Sequence, residues 1–394
     1  MTRIRLLFLG LTCAVACSPR HSDDGARAAS ASALTSTAPP AVPSSAGQAA
    51  ASAPVASARE TAPAPAADAP FTPRKVDLIE PAMGTEVHFV AYTTRELGED
   101  AVHDAMNQAL TEIRRIETVM TSWRDTSEVG QINMGAGSPV VVSNETITVI
   151  EKARWASELS GGVFDITFNA LGDLWKFGDA AEAHPKLPDP KLVRERKKLV
   201  DYRKVQIDEG AHTVTIAKGM RIDLGGIAKG YAVDRAAAVM KAAGLKSFLA
   251  QAGGDLYGAG SKPDGSPWVS GIQDPRADQG QFFAIIELQD HAFSTAGDYA
   301  RAFFVDGKRY HHIIDPRTGY PATACRSVTV WAGDAFTADA IDDAVFILGP
   351  EKGLALVESQ PDVGAVIVDK NNKVWISDRL KGKVHVLHPP TDAI

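Results

Sequence analysis

The chain is poor in cysteine. Three occur in 394 residues, and only Cys325 lies beyond residue 17. A single thiol there excludes an intrachain disulfide in the folded part. A buried core position suits that lone thiol better than catalysis. The sequence also lacks a G-x-G-x-x-G fingerprint and a Walker loop, which argues against the common nucleotide-binding folds. Basic charge is in deficit: 41 Lys and Arg stand against 48 Asp and Glu, a formal charge of −7. That balance argues against a general nucleic-acid binder. There is no internal repeat. The leading apolar run, Leu6 to Ala16, is too short to cross a bilayer as a helix.

That run follows Arg3 and Arg5 and reads as a secretory signal. It ends in Ala14-Val15-Ala16-Cys17, which resembles a bacterial lipobox, with Ala14 where the pattern favours Leu. Lipidation of Cys17 would anchor the chain on the periplasmic side of a bacterial membrane. Ordinary signal cleavage would release it to the periplasm instead. Ser18 to about Thr72 is almost entirely Ala, Ser and Pro. Such a stretch buries too little apolar surface to offset its ordering entropy, and Pro recurs too often for an alanine-rich helix. A disordered tether is expected over residues 18–72, after a signal over 1–17 and before one large domain over 73–394.

Within that domain, Glu86–Tyr92 alternates like a strand. Val102, Met106, Ala109, Ile113, Ile116 and Met120 recur at steps of three and four, which is one face of a helix. A second helix is expected from near Asn144 to Leu159, and a third from about Ala228 to Ala243, closed by Gly244. Lys204 to Gly226 reads as a hairpin and a following strand. A helix from about Phe336 to Leu348 precedes a closing hairpin. Strands run in groups rather than alternating singly with helices. The expected class is therefore α+β, with mixed or antiparallel strands and packed helices.

Three constellations carry possible chemistry. In "RIDLGGIAKGYAVDRA", Arg221–Ala236, a glycine pair leads into a helix with Lys229 in its first turn. Free N–H groups at a helix start suit an anion, and Lys229 suits phosphate. A solvated lysine at a plain strand–turn–helix joint fits equally. In "TADAIDDAVFILG", Thr337–Gly349, Asp339 and Asp343 are four apart and share a helix face. Their repulsion becomes attraction if a hard divalent cation binds. The bland alternative has Asp339 complementing the helix N-terminus and Asp343 facing water. In "RYHHIIDPRTGYPA", Arg309–Ala322, two histidines end an apolar strand beside a rigid turn. A histidine is the natural general base near neutral pH, and Asp315 or Arg317 could orient it or bind a ligand. A structural strand end with one satisfied histidine is the other reading.

Eight segments in order resemble the ApbE family, the FAD:protein FMN transferases. They are "PAMGTEVHF", "MTSWRDTSEVGQIN", "GGVFDITFNALGDLWKFG", "IDLGGIAKGYAVD", "AQAGGDLYGAG", "STAGDYARAF", "HHIIDPRTGYPA" and "SVTVWAGDAFTADAIDDAVFILGPEKG". They run from Met83 past Gly353. The resemblance implies Mg²⁺-dependent transfer of FMN from FAD to a Thr or Ser hydroxyl on an extracytoplasmic, membrane-associated redox protein, with AMP leaving. By that resemblance Met83 and Trp123 cradle the flavin. Thr167, Phe168 and Asn169 form a turn against FAD, with Asn-Ala-Leu where Gly-Pro-Leu is common. Asp223, Lys229 and Ile314 contact the cofactor. Gly226 offers a carbonyl to the metal, and Asp339 a carboxylate. Asp343 stands where many members have threonine. His312, which directly precedes Ile-Ile-Asp-Pro, matches the family histidine and would be the general base. Two other readings stand beside this one. With water as acceptor the same residues would make a metal-dependent FAD pyrophosphatase that releases FMN and AMP. A non-enzymatic flavin-binding lipoprotein is the other, and His312, Asp339 and Asp343 argue against it, because binding alone needs no general base.

Overall fold

The structure is a computed structural model and describes residues 71–178 and 182–393. The signal segment, Cys17 and almost all of the expected tether lie outside these residues. Among the described residues no helix is long and apolar enough to cross a membrane.

An eight-stranded sheet organises the chain. Its strands are β1 (Lys75–Ala82), β2 (Thr85–Tyr92), β3 (Phe248–Ala252), β4 (Asp255–Ala259), β5 (His291–Gly297), β6 (Cys325–Ala332), β7 (Gly364–Asp369) and β8 (Val374–Ile376). Spatial order follows chain order, and every neighbouring pair is antiparallel. The α+β expectation therefore holds.

Strand alternation sends side chains to two different cores. Phe89, Ala91, Ala365 and Ile367 enter the larger core with the helices. Val90, Val366 and Val368 enter a second one, against a three-stranded sheet of Trp268–Gln273, Phe282–Leu288 and Val384–Val386. Both faces of the central strands are thus covered, which explains why their sequences read as nearly continuous apolar runs.

Four helices matter for the site: α1 (Glu99–Met120), α2 (Asn144–Leu159), α3 (Ala228–Ala242) and α4 (Ala335–Leu348). All six residues of the periodic face of α1 are buried. Side chains of that kind contribute about 1.5–3 kcal/mol each when large and fully removed from water. Ser143 caps α2 by accepting from Thr146 N–H, and Asp334 caps α4 by accepting from Thr337 N–H. Gly230 lets α3 approach α4 closely, since a Cβ there would lie 2.2 Å from the Ala335 carbonyl oxygen.

One expected element is absent. The segment before Gly225 joins no ladder. Its backbone bonds go elsewhere: Asn133 takes the Ile222 N–H at 2.7 Å and donates to the Ile222 carbonyl at 2.9 Å, as does Asn169 at 3.1 Å. Asp223 N–H donates to the Ile166 carbonyl at 2.9 Å. Side-chain amides replace a neighbouring strand here, which hydrophobic alternation cannot reveal.

Candidate active site

The candidate residues converge at one end of the sheet. Met83 and Gly84 form the two-residue turn joining β1 to β2, with Ala82 paired to Thr85. Both have positive φ, 52° and 67°, as a mirror-image hairpin turn requires. A second two-residue turn, Gly253-Gly254, joins β3 to β4. A Cβ on Gly253 would lie 2.7 Å from Thr85 Oγ1, and one on Gly254 2.8 Å from the Thr295 carbonyl oxygen. The glycine pair therefore sets Asp255 at the start of β4, wholly buried.

Asp255 is the partner that sequence reasoning missed. Lys229, in the first turn of α3, places Nζ 2.6 Å from Asp255 Oδ2 and 3.5 Å from Asp339 Oδ1. Asp339 Oδ2 accepts from Gly230 N–H at 2.7 Å. Ser294 Oγ, on β5, lies 2.6 Å from both Asp255 Oδ1 and Asp342 Oδ2. A hydroxyl has one proton and cannot donate to both. Ser294 therefore serves one carboxylate fully at a time, and it ties Asp255 to Asp342 within the cluster. The "AGGD" and "IDDA" segments contain both aspartates, but a buried acid is not distinguishable in sequence from a capping one.

The electrostatics are lopsided. Asp255, Asp339 and Asp342 are buried and Asp343 is half-buried, and among the described residues only Lys229 pairs with them as a cation. Burial, then the Asp255 charge, pushes the Asp339 carboxyl up to about 7. Asp342 is raised by burial and by Asp343 and Asp339. Burial raises Asp343 to about 6, against the opposing pull of Lys229. Desolvation alone would lower the Lys229 ammonium, but Asp255 and Asp339 more than offset it and hold it charged.

Gly226 faces this cluster: a Cβ there would lie 3.0 Å from Asp343 Oδ2. The bare backbone lets that carboxylate sit against the glycine. Oxygen donors with unbalanced negative charge suit a hard cation such as Mg²⁺, which commonly takes one or two carboxylates and completes its shell with water and substrate phosphates. Among the described residues no three His, Cys, Asp or Glu side chains gather in ligand geometry. The fit therefore rests on Asp339, Asp343 and the Gly226 backbone.

The two histidines separate clearly. The strand Lys308–His311 pairs with Ala302–Val305 and ends at His311. His311 is buried, its Nε2 2.8 Å from the Ala322 carbonyl, while its Nδ1 accepts from Ile313 N–H at 3.3 Å. That pairing assigns the ring proton to Nε2. The ring meets Phe346 edge-on at 5.5 Å. His312, the next residue, is half-buried, and its buried Nδ1 has no hydrogen-bond partner among the described residues. Burial first, then the neighbouring His311, Arg301 and Lys229, hold its imidazole well below the ordinary value. It is neutral near pH 7, the form that accepts a proton.

Trp123 is 88% exposed, an indole open to stacking. It follows Ser122, whose hydroxyl donates to Asp223. Asp223 also accepts from Gly225 N–H at 2.6 Å. Phe168 is half-buried beside the aromatic cluster around Trp175.

Thr167 is 0% exposed, and its hydroxyl is committed to Asp165 and to Asp201 N–H. Its side chain builds the turn, so contact with a ligand there would fall to the turn's backbone and to its neighbours. Ile314 is buried with Leu171, Trp175 and Phe303, so its side chain is core. Asp315 and Arg317 bond to each other at 2.8 and 2.9 Å and close their own turn, leaving His312 unoriented by either.

A model of the ApbE family matches residues 83–367. The chain is 34% identical over 330 residues to the FAD:protein FMN transferase of Treponema pallidum, covering 80% of this chain and 90% of that protein. It is 32% identical over 315 residues to the one from Vibrio cholerae, covering 78% and 92%. The solved ApbE protein of Thermotoga maritima superposes with a TM-score of 0.71 at 34% identity, over 79% of this chain and 99% of that one. These likenesses put the chain among the transferase enzymes. It belongs to the ApbE family.

Proposed function

We propose that the chain moves FMN from FAD to a Thr or Ser hydroxyl of a protein acceptor, with Mg²⁺ bound and AMP released. The observation that carries this reading is the unpartnered, neutral His312 near a lysine and a carboxylate cluster with excess negative charge. Trp123 offers a face to the flavin. Lys229 keeps its positive charge and attracts the pyrophosphate. His312 takes the proton of the incoming hydroxyl, so the acceptor oxygen is the nucleophile and no covalent enzyme intermediate arises. Mg²⁺ held by Asp339, Asp343 and the Gly226 carbonyl would supply charge neutralisation at the phosphates.

The test incubates the pure protein with FAD and Mg²⁺, with and without candidate extracytoplasmic redox proteins. AMP release that requires the acceptor, with an FMN mass adduct on its Thr or Ser, supports transfer. AMP release that proceeds equally without acceptor identifies a pyrophosphatase. No AMP under any condition leaves only flavin binding.

We further infer that Cys17 carries a lipid that holds the enzyme on the periplasmic side of a membrane. The basis is the lipobox-like sequence after an apolar run. In cells, Cys17→Ala should shift the protein from the membrane fraction to the soluble fraction. A substituted protein that stays membrane-bound after signal cleavage places the anchor elsewhere.

A further inference from the structure

Arg301 immediately precedes the hairpin Ala302–Val305 and Lys308–His311. Ala302 pairs with His311, and His312 N–H donates to the Arg301 carbonyl at 3.2 Å. Arg301 and His312 are thus the next opposed pair at the open end of the ladder. Opposed residues project to the same face with Cβ atoms about 4.5–5.5 Å apart. Arg301 also reaches the other side of the site: its Nη2 lies 3.8 Å from where a Cβ on Gly84 would stand.

Arg301 is exposed, and among the described residues its guanidinium has neither an ion pair nor a hydrogen bond. Two arginines elsewhere in the chain differ. Arg276 grips Asp298 with two bonds, and Arg317 grips Asp315. Lys229 shares its charge with Asp255 and Asp339, so a second cation would add to its attraction for the pyrophosphate. A planar guanidinium between the proposed base and the Met83–Gly84 turn matches a phosphate, which it can bind through two parallel bonds.

We propose that Arg301 is a further catalytic residue: it binds the phosphate on the flavin side of the FAD pyrophosphate and stabilises it during transfer. This rests on the transferase reading above. In the step, the acceptor oxygen forms a bond to the FMN phosphorus. The bond from that phosphorus to the bridging oxygen breaks, and AMP leaves with the bond pair. The hydroxyl proton passes to His312. Negative charge grows on the FMN phosphate oxygens and the bridge as this happens, and a fixed guanidinium lowers its energy.

The experiment compares Arg301→Gln, Arg301→Lys and Arg301→Ala with the unchanged enzyme in FMN transfer, alongside a flavin-fluorescence titration. Arg301→Gln should lower kcat by about 10²- to 10³-fold, as loss of one such donor does elsewhere. FAD affinity should weaken far less. Arg301→Lys should fall between, since it keeps charge without the paired donors. Added guanidinium should restore part of the Arg301→Ala rate. An Arg301→Gln enzyme with unchanged kcat overturns the inference. So does a loss confined to the KM of the acceptor, which would make Arg301 a docking residue. Transfer by the unchanged enzyme is the separate control: if it transfers no FMN, the transferase reading itself fails.

Discussion

Replacing His312 with alanine is expected to lower the rate of FMN transfer by about 10²- to 10⁴-fold, the usual range for losing a general base. FAD affinity should change much less, because the base acts on a proton that moves only in the transition state. His311→Ala should behave in the opposite way. His311 fills a buried site and bonds through both ring nitrogens. Its removal leaves the Ala322 carbonyl and the Ile313 N–H without partners, at a cost of about 1–3 kcal/mol in stability. Activity per folded molecule should be kept. Thermal denaturation and turnover, measured on both variants, separate the two roles. An active His312→Ala enzyme beside a folded but inactive His311→Ala enzyme would reverse the assignment.

The same two rings set a pH dependence whose sign follows from burial. Both imidazoles are held below their ordinary value, His311 by desolvation and His312 by desolvation and its cationic neighbours. The unfolded chain takes up protons as pH falls through about 6.5, while the folded chain resists. Stability is therefore expected to be unaffected by these groups above that pH and to decline below it. Turnover limited by His312 should persist to lower pH than an ordinary histidine allows.

Asp339→Asn is expected to abolish transfer, since it removes a negative donor at the centre of the cluster. Its Oδ2 caps the Gly230 N–H, and its Oδ1 faces Lys229. Asparagine keeps an acceptor for the first contact but loses the charge that a divalent ion would need. The readout independent of activity is thermal stability with and without Mg²⁺. The unchanged protein should melt higher with the ion present, because a ligand that binds only the folded state stabilises it. Asp339→Asn should show little or no such shift. Asp343→Thr should retain activity, because threonine keeps an oxygen beside Gly226 and relieves like-charge crowding. Equal and complete loss in both variants would give Asp343 a role that threonine cannot fill. A Mg²⁺ shift that survives in Asp339→Asn would remove Asp339 from the ion site.

Much of this protein was legible without coordinates. The helical face of α1, the span of α2 and the start of α3 follow from apolar spacing and capping residues, which act over a turn or two. The α+β class followed from the grouping of strands. The choice of His312 over His311 came from eight ordered segments, and the structure supplies the physical reason they differ: one ring is saturated with hydrogen bonds, the other has an orphan nitrogen. Tertiary structure alone decided which groups meet. Lys229 pairs with Asp255 across 26 positions of chain, and Ser294 bridges Asp255 and Asp342 across 39 and 48. No local pattern encodes such contacts, because charge and hydrogen-bond complementarity over that distance depend on which strands become neighbours. The burial of the Thr167 and Ile314 side chains is likewise a tertiary outcome, because their residue types suit a surface or a core equally. Arg301 was silent in sequence, since an unpaired guanidinium is defined by the absence of an acid nearby in space.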